Sequence, residues 1–86
     1  MDWNFRNDQP IYSQLTQRLT EAIVSGIYAP GEKLPSVREL AVEAGVNPNT
    51  VQRALSELER DGLVFSQRTA GRFVTGNENM ITNAKL

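Results

Sequence analysis

The sequence contains neither cysteine nor histidine. Without cysteine there is no disulfide framework and no thiolate nucleophile, and without either residue the usual zinc ligand sets are excluded. The lack of histidine also leaves Ser13, Ser25, Ser36, Ser56 and Ser66 with no imidazole to activate them. No Gly-rich phosphate loop of the GxxxxGK[ST] kind occurs. No apolar run approaches the roughly 20 residues of a membrane span. The opening MDWNFRNDQP is polar where a secretory signal would carry an apolar stretch. Charge of neither sign dominates: the formal net charge is −1. At 86 residues there is room for one small domain with a limited core. Together these absences predict a soluble cytoplasmic domain that is not an enzyme, binds no membrane, and holds no cofactor and no metal.

What is present centres on residues 36–62, SVRELAVEAGVNPNTVQRALSELERDG. Ser36 followed by Glu39 is a capping box, in which the serine oxygen takes the N3 amide and the glutamate reaches back to the serine amide. Val37, Leu40, Ala41 and Ala44 then recur at helical spacing, and Gly45 follows where a left-handed C-terminal cap needs no Cβ. After a short break holding the apolar Val46, Asn47 is a good N-cap and Pro48 suits a first helical position. Val51, Ala54, Leu55 and Leu58 repeat the same stripe, and Gly62 closes the pattern. A helix, a Gly-containing turn and a second helix make a helix-turn-helix over 36–61, a unit that commonly places its second helix in the DNA major groove. Read from the residues alone, a winged-helix module that binds a protein partner stays open, as does an ordinary helix pair in a small bundle. The outward side of the second helix carries Asn, Thr, Gln and Arg, however, where a protein-binding face would expose large apolar side chains.

The flanking chain fits around this unit. Residues 1–9 form an arm with Trp3 and Phe5 on alternate positions; aromatics so placed pack on the domain or on a partner. Residues 10–25 read as a first helix, with Ile11, Leu15, Leu19, Ala22 and Ile23 as its apolar stripe and Gln14, Gln17, Arg18 and Glu21 as its polar face. Pro30-Gly31 signals a type II turn, and Lys33-Leu34 is a short extended piece that can pair with a later hairpin. That hairpin is expected over 63–75, from Leu63-Val64-Phe65-Ser66 and Arg72-Phe73-Val74-Thr75 around a polar loop with Gly71. The expected fold is mainly α with a small β-hairpin: a winged helix-turn-helix of three helices plus a two- to three-stranded antiparallel wing, spanning 10–76. Residues 77–86 form a tail in which Asn77 caps a further helix with Met80, Ile81 and Ala84 as its apolar positions.

Charge is distributed unevenly. The first half of the second helix of the pair carries Arg53 and no acid, whereas Glu57, Glu59 and Asp61 crowd its end, against the helix dipole. Either the leading end faces phosphates and the acidic end points away, or these acids are ordinary solvated surface. Arg53 itself has a local rival partner in Glu57, four residues on. Arg38, Thr50, Gln52 and Arg53 are the leading candidates for nucleic-acid contact, followed by Asn49, Arg68, Gly71 and Arg72, with Lys33 weaker.

Taken in order, Pro10-Ile-Tyr-x-Gln-Leu, Gly26-x4-Gly31-x2-Leu34-Pro35-Ser36-x-Arg38-x-Leu40-Ala41, Val46-Asn-x-Asn-Thr-Val-Gln-Arg-Ala-Leu55, Leu58-x3-Gly62-Leu63 and Gly71-x-Phe73-Val74 resemble the GntR-type bacterial transcription regulators, and among them the YtrA-like subgroup. The resemblance covers roughly 10–76. It implies a winged helix-turn-helix that binds a palindromic double-stranded DNA operator as a homodimer in its full-length context, as a repressor, with helix 48–61 in the major groove. It also implies that Arg38 meets backbone or base edges, that Asn49, Thr50, Gln52 and Arg53 lie on the groove side, and that Gly71 enters the minor groove. A dimerising or ligand-binding region follows the wing in that family, so no effector ligand is expected within this chain. Many relatives carry arginine where Pro48 and Gln52 stand here. Arginine pairs with guanine whereas glutamine prefers adenine, so an operator read by such a relative does not transfer.

Overall fold

Backbone N–H groups at helix starts need acceptors, and most helices here find one in the sequence. The computed structural model describes residues 3–85; the first two residues of the arm expected at 1–9 and the last of the tail expected at 77–86 lie outside it. Helix α1 spans Ile11–Val24, α2 Val37–Ala44 and α3 Pro48–Arg60, followed by strands β1 (Val64–Gln67) and β2 (Gly71–Val74) and helix α4 (Glu78–Lys85). The Ser36 hydroxyl accepts the Glu39 amide and the Glu39 carboxylate accepts the Ser36 amide, so both halves of the capping box at α2 are made. Asn47 accepts the Asn49 amide at α3, and Asn77 the Asn79 amide at α4. Only α1 starts without a side-chain cap, behind Pro10. Between α2 and α3, Gly45 sits at φ 70°, the left-handed cap its position required.

Helix α3 lies at the centre, packed on both α1 and α2. Its stripe of Val51, Ala54, Leu55 and Leu58 is fully sequestered, facing Leu15, Leu19 and Ile23 of α1 and Leu40 and Ala41 of α2 in one core. Leu34, Leu63, Val64 and Val74 close that core from the wing side. A fully buried leucine contributes roughly 1.5–3 kcal/mol, so this stripe fixes which face of α3 remains outside.

The wing is a two-stranded antiparallel sheet in the register Val64↔Val74, Phe65↔Phe73, Ser66↔Arg72 and Gln67↔Gly71. The hairpin begins one residue later than the pattern predicts. Leu63 instead donates its N–H to the Leu58 carbonyl and serves as a core residue at the helix–strand junction. The expected third strand is reduced to one antiparallel bridge, Lys33↔Phe73. It is supported by the Leu34 N–H donating to the Arg72 carbonyl at 2.8 Å and the Val74 N–H donating to the Glu32 carbonyl at 2.8 Å.

One residue assigned from the sequence to the polar face of α1 is not there. Gln14 is 5% exposed. Its Nε2 donates to the carbonyls of Arg6 (2.8 Å) and Gln9 (3.0 Å), and its Oε1 accepts the Arg6 amide at 2.6 Å. A glutamine amide can satisfy both a donor and an acceptor of a passing backbone, and here it latches the N-terminal arm onto α1. That latch decides where the aromatics go: Trp3 and Phe5 pack against the domain's own core, and Trp3 Nε1 donates to Glu43 Oε1 at 3.1 Å.

Candidate nucleic-acid interface

Burying Val51, Ala54, Leu55 and Leu58 turns Asn49, Gln52, Arg53 and Ser56 outward, because these lie on the opposite side of the same 3.6-residue repeat. They stand at i, i+3, i+4 and i+7, so they form one polar stripe along the leading part of α3. Thr50, beside this stripe, is half-buried. Ser56 is not among the nucleic-acid candidates read from the sequence, although the spacing that defines the apolar stripe also places it here. No carboxylate interrupts the stripe.

Of the acids at the far end of α3, Asp61 is exposed, whereas Glu57 and Glu59 are half-buried and paired. Glu57 is paired with Arg60. Glu59 accepts Arg72 Nε at 2.5 Å and the Ser66 hydroxyl at 2.8 Å. Arg72, then Ser66, hold the Glu59 carboxyl below the usual carboxylate range, outweighing the opposing effect of partial burial. With Glu57 paired to Arg60, the rival Arg53–Glu57 pair is not made. The Arg53 guanidinium instead lies over the Tyr12 ring of α1, with its carbon 3.6 Å from the ring centroid.

Among the described residues Lys33, Arg38, Arg53 and Arg68 make no ion pair, and all four are exposed. They are on the bridge segment, on α2, on α3 and at the tip of the wing. On the helix-turn-helix and wing these four cations thus stand outside any ion pair, alongside the acids Glu39, Glu43 and Asp61 of the same elements, and it is the distribution of charge that sets the local field. Arg72 departs from this set: its side chain is 20% exposed and its Nε is occupied by Glu59, so it ties the wing to α3. Gly71 adopts φ +103°, and the Lys33 side chain crosses it closely: a Cβ added there would come within 3.2 Å of Lys33 Cε. The Ser36 amide, then its hydroxyl, keep the Glu39 carboxyl below the usual range, with the Lys33 charge acting in the same direction, so this carboxylate stays ionised while it caps α2.

The sequence profile described as "Bacterial regulatory proteins, gntR family" matches residues 11–74, from the start of α1 to the end of the wing. The chain belongs to the GntR family. A GntR family transcriptional regulator from Listeria monocytogenes superposes with a TM-score of 0.92 at 40% identity, over 94% of this chain and 71% of that one. The HTH-type transcriptional repressor YtrA of Bacillus subtilis is 47% identical over 72 residues, 84% of this chain and 55% of YtrA, so this chain spans little more than half of that relative. The AraR DNA-binding domain, solved in complex with operator ORX1, superposes with a TM-score of 0.74 at 31% identity, over 78% of this chain and 81% of that one. This GntR chain thus has the winged helix-turn-helix architecture, of the YtrA-like kind, that its residue pattern predicts.

Proposed function

We propose that this chain is the DNA-binding part of a transcription repressor that acts in the cytoplasm on a palindromic operator. The carrying observation is the acid-free stripe of Asn49, Gln52, Arg53 and Ser56, held outward by a fully buried opposite face. In this reading the leading end of α3 enters the major groove. Gln52 reads a base edge, with adenine its natural partner, and Asn49 and Thr50 flank it. Arg38 and Arg68 contact phosphates, which position the protein without specifying sequence. Gly71 lets the wing backbone approach the minor groove, and Arg72 braces the wing from behind. Two copies would read half-sites about one helical turn apart, and α4 leads into the region that joins them. The similar AraR DNA-binding domain, solved in complex with operator ORX1, supports operator DNA as the partner by analogy.

Titrating the chain with duplexes recovered from a randomised pool tests the proposal. Affinity should fall with salt, by a slope of about −0.9 in log–log terms for each phosphate neutralised. Gln52→Ala should change which bases are preferred at one position. Arg38→Ala should weaken all sequences alike and flatten the slope by about 1. Binding indifferent to salt, or identical behaviour of the two variants, refutes the assignment.

A further inference from the structure

The stack of Arg53 on Tyr12 joins the outward face of α3 to the start of α1. Tyr12 is half-buried in the first turn of α1, outside the helix-turn-helix, and the exposed Arg53 reaches across to its ring. At 3.6 Å from the centroid, the guanidinium carbon places the planar group on the ring face. The donors of a guanidinium lie in its plane. A stack on one face therefore holds the group still while leaving its N–H edges open. No carboxylate competes for those edges, since Arg53 makes no ion pair among the described residues and Glu57 is taken by Arg60.

We propose that Tyr12 is a positioning residue for DNA reading: its ring sets the plane and direction of Arg53, so that the guanidinium meets a bidentate acceptor on DNA without first losing its freedom. The idea rests on the operator reading of α3 given above. The acceptor chemistry is a pair of adjacent oxygens or an oxygen and a ring nitrogen, presented by a phosphate or by the guanine edge. Lysine could not replace Arg53 here, because a point charge has no plane to stack and no fork to present.

The test uses the whole chain, the duplex most enriched by it from a randomised pool, and a mixed-sequence duplex of equal length. Tyr12→Phe keeps the ring face and should bind the enriched duplex as the parent does. Tyr12→Leu keeps the apolar body and should weaken that binding by about 2- to 5-fold, the range of an exposed cation–π contact. In an Arg53→Gln background Tyr12→Leu should cause no further loss. The Arg53 Hε resonance, shifted upfield by the ring in the parent and in Tyr12→Phe, should return to its ordinary position in Tyr12→Leu. A guanine acceptor predicts that Arg53→Gln relaxes preference at one base position, and a phosphate acceptor predicts equal weakening on both duplexes; either supports the proposal. Losses that add in the double variant overturn it while leaving the operator reading intact, whereas a parent chain that binds neither duplex overturns both. Should Tyr12→Leu fail to fold, Arg53→Lys decides: a lysine variant that binds the enriched duplex as tightly as the parent refutes the role of the stack.

Discussion

Replacing Glu59 by glutamine removes one negative charge from the junction between α3 and the wing while keeping the side chain's shape. Glu59 accepts from Arg72 and Ser66, with side-chain exposures of 33% for Glu59 and 20% for Arg72. Fully exposed pairs contribute about 0.2–1 kcal/mol, and hydrogen bonds to charged groups about 1.5–3 kcal/mol. This junction lies between those cases and solvent screens part of it, so the loss at neutral pH should be about 1 kcal/mol. For a domain of this size that corresponds to a melting shift of about 4–8 °C. The pH dependence is the sharper test. The folded carboxyl titrates below its ordinary value of 4.5. Its contribution is therefore fully present above that value and is lost as pH falls through the lowered folded one. The difference between parent and Glu59→Gln should stay constant from pH 7 to about pH 5 and close below the ordinary carboxylate range. Glu39, also lowered, is common to both proteins and cancels. Urea unfolding followed by circular dichroism at several pH values measures it. A difference of zero at pH 7, or one unchanged down to pH 3, refutes the reasoning.

Gln14→Leu should destabilise by about 1–2 kcal/mol, because it strips partners from the Arg6 and Gln9 backbone groups. As the arm loosens, the emission of Trp3, the single tryptophan, should shift to the red; an unmoved spectrum would show that the latch does not hold the arm. Gly62→Ala should cost more than Gly45→Ala. Both residues have positive φ, worth about 1 kcal/mol to a residue with a Cβ, but a Cβ at Gly62 also falls 2.5 Å from Met80 Cε of α4, whereas Gly45 faces open space. Equal losses in paired denaturation curves would mean that Met80 simply swings away.

Local signals in this chain were strong enough to read because they agree with the final packing. The Ser36–Glu39 box, the Gly45 and Asn47 caps, and the stripes of α2 and α3 each depend on residues within a turn or two of one another, so periodicity and capping chemistry determine them. The outward direction of Asn49, Gln52 and Arg53 follows from the same repeat. Leu63 shows where such reading stops: its residue type suits a strand, but the turn after α3 places it in the core.

Side-chain partners were another matter. Arg53 had a legible partner four residues on in Glu57, yet Arg60 takes that carboxylate, and a tyrosine 41 positions earlier in the chain takes Arg53. Arg72 was a candidate for nucleic-acid contact, and the fold ties its Nε to Glu59 of α3. Gln14 looked like solvated helix surface and proves to be a buried clamp, because the arm folds back over it. By itself, then, the order of residues determined which segments become helix or strand and which face of each is oily, since those depend on neighbours within reach of a few backbone steps. Only the tertiary structure decided which charges remain available, because several partners compete for each polar group and the winner is whichever the packed helices bring within hydrogen-bonding distance.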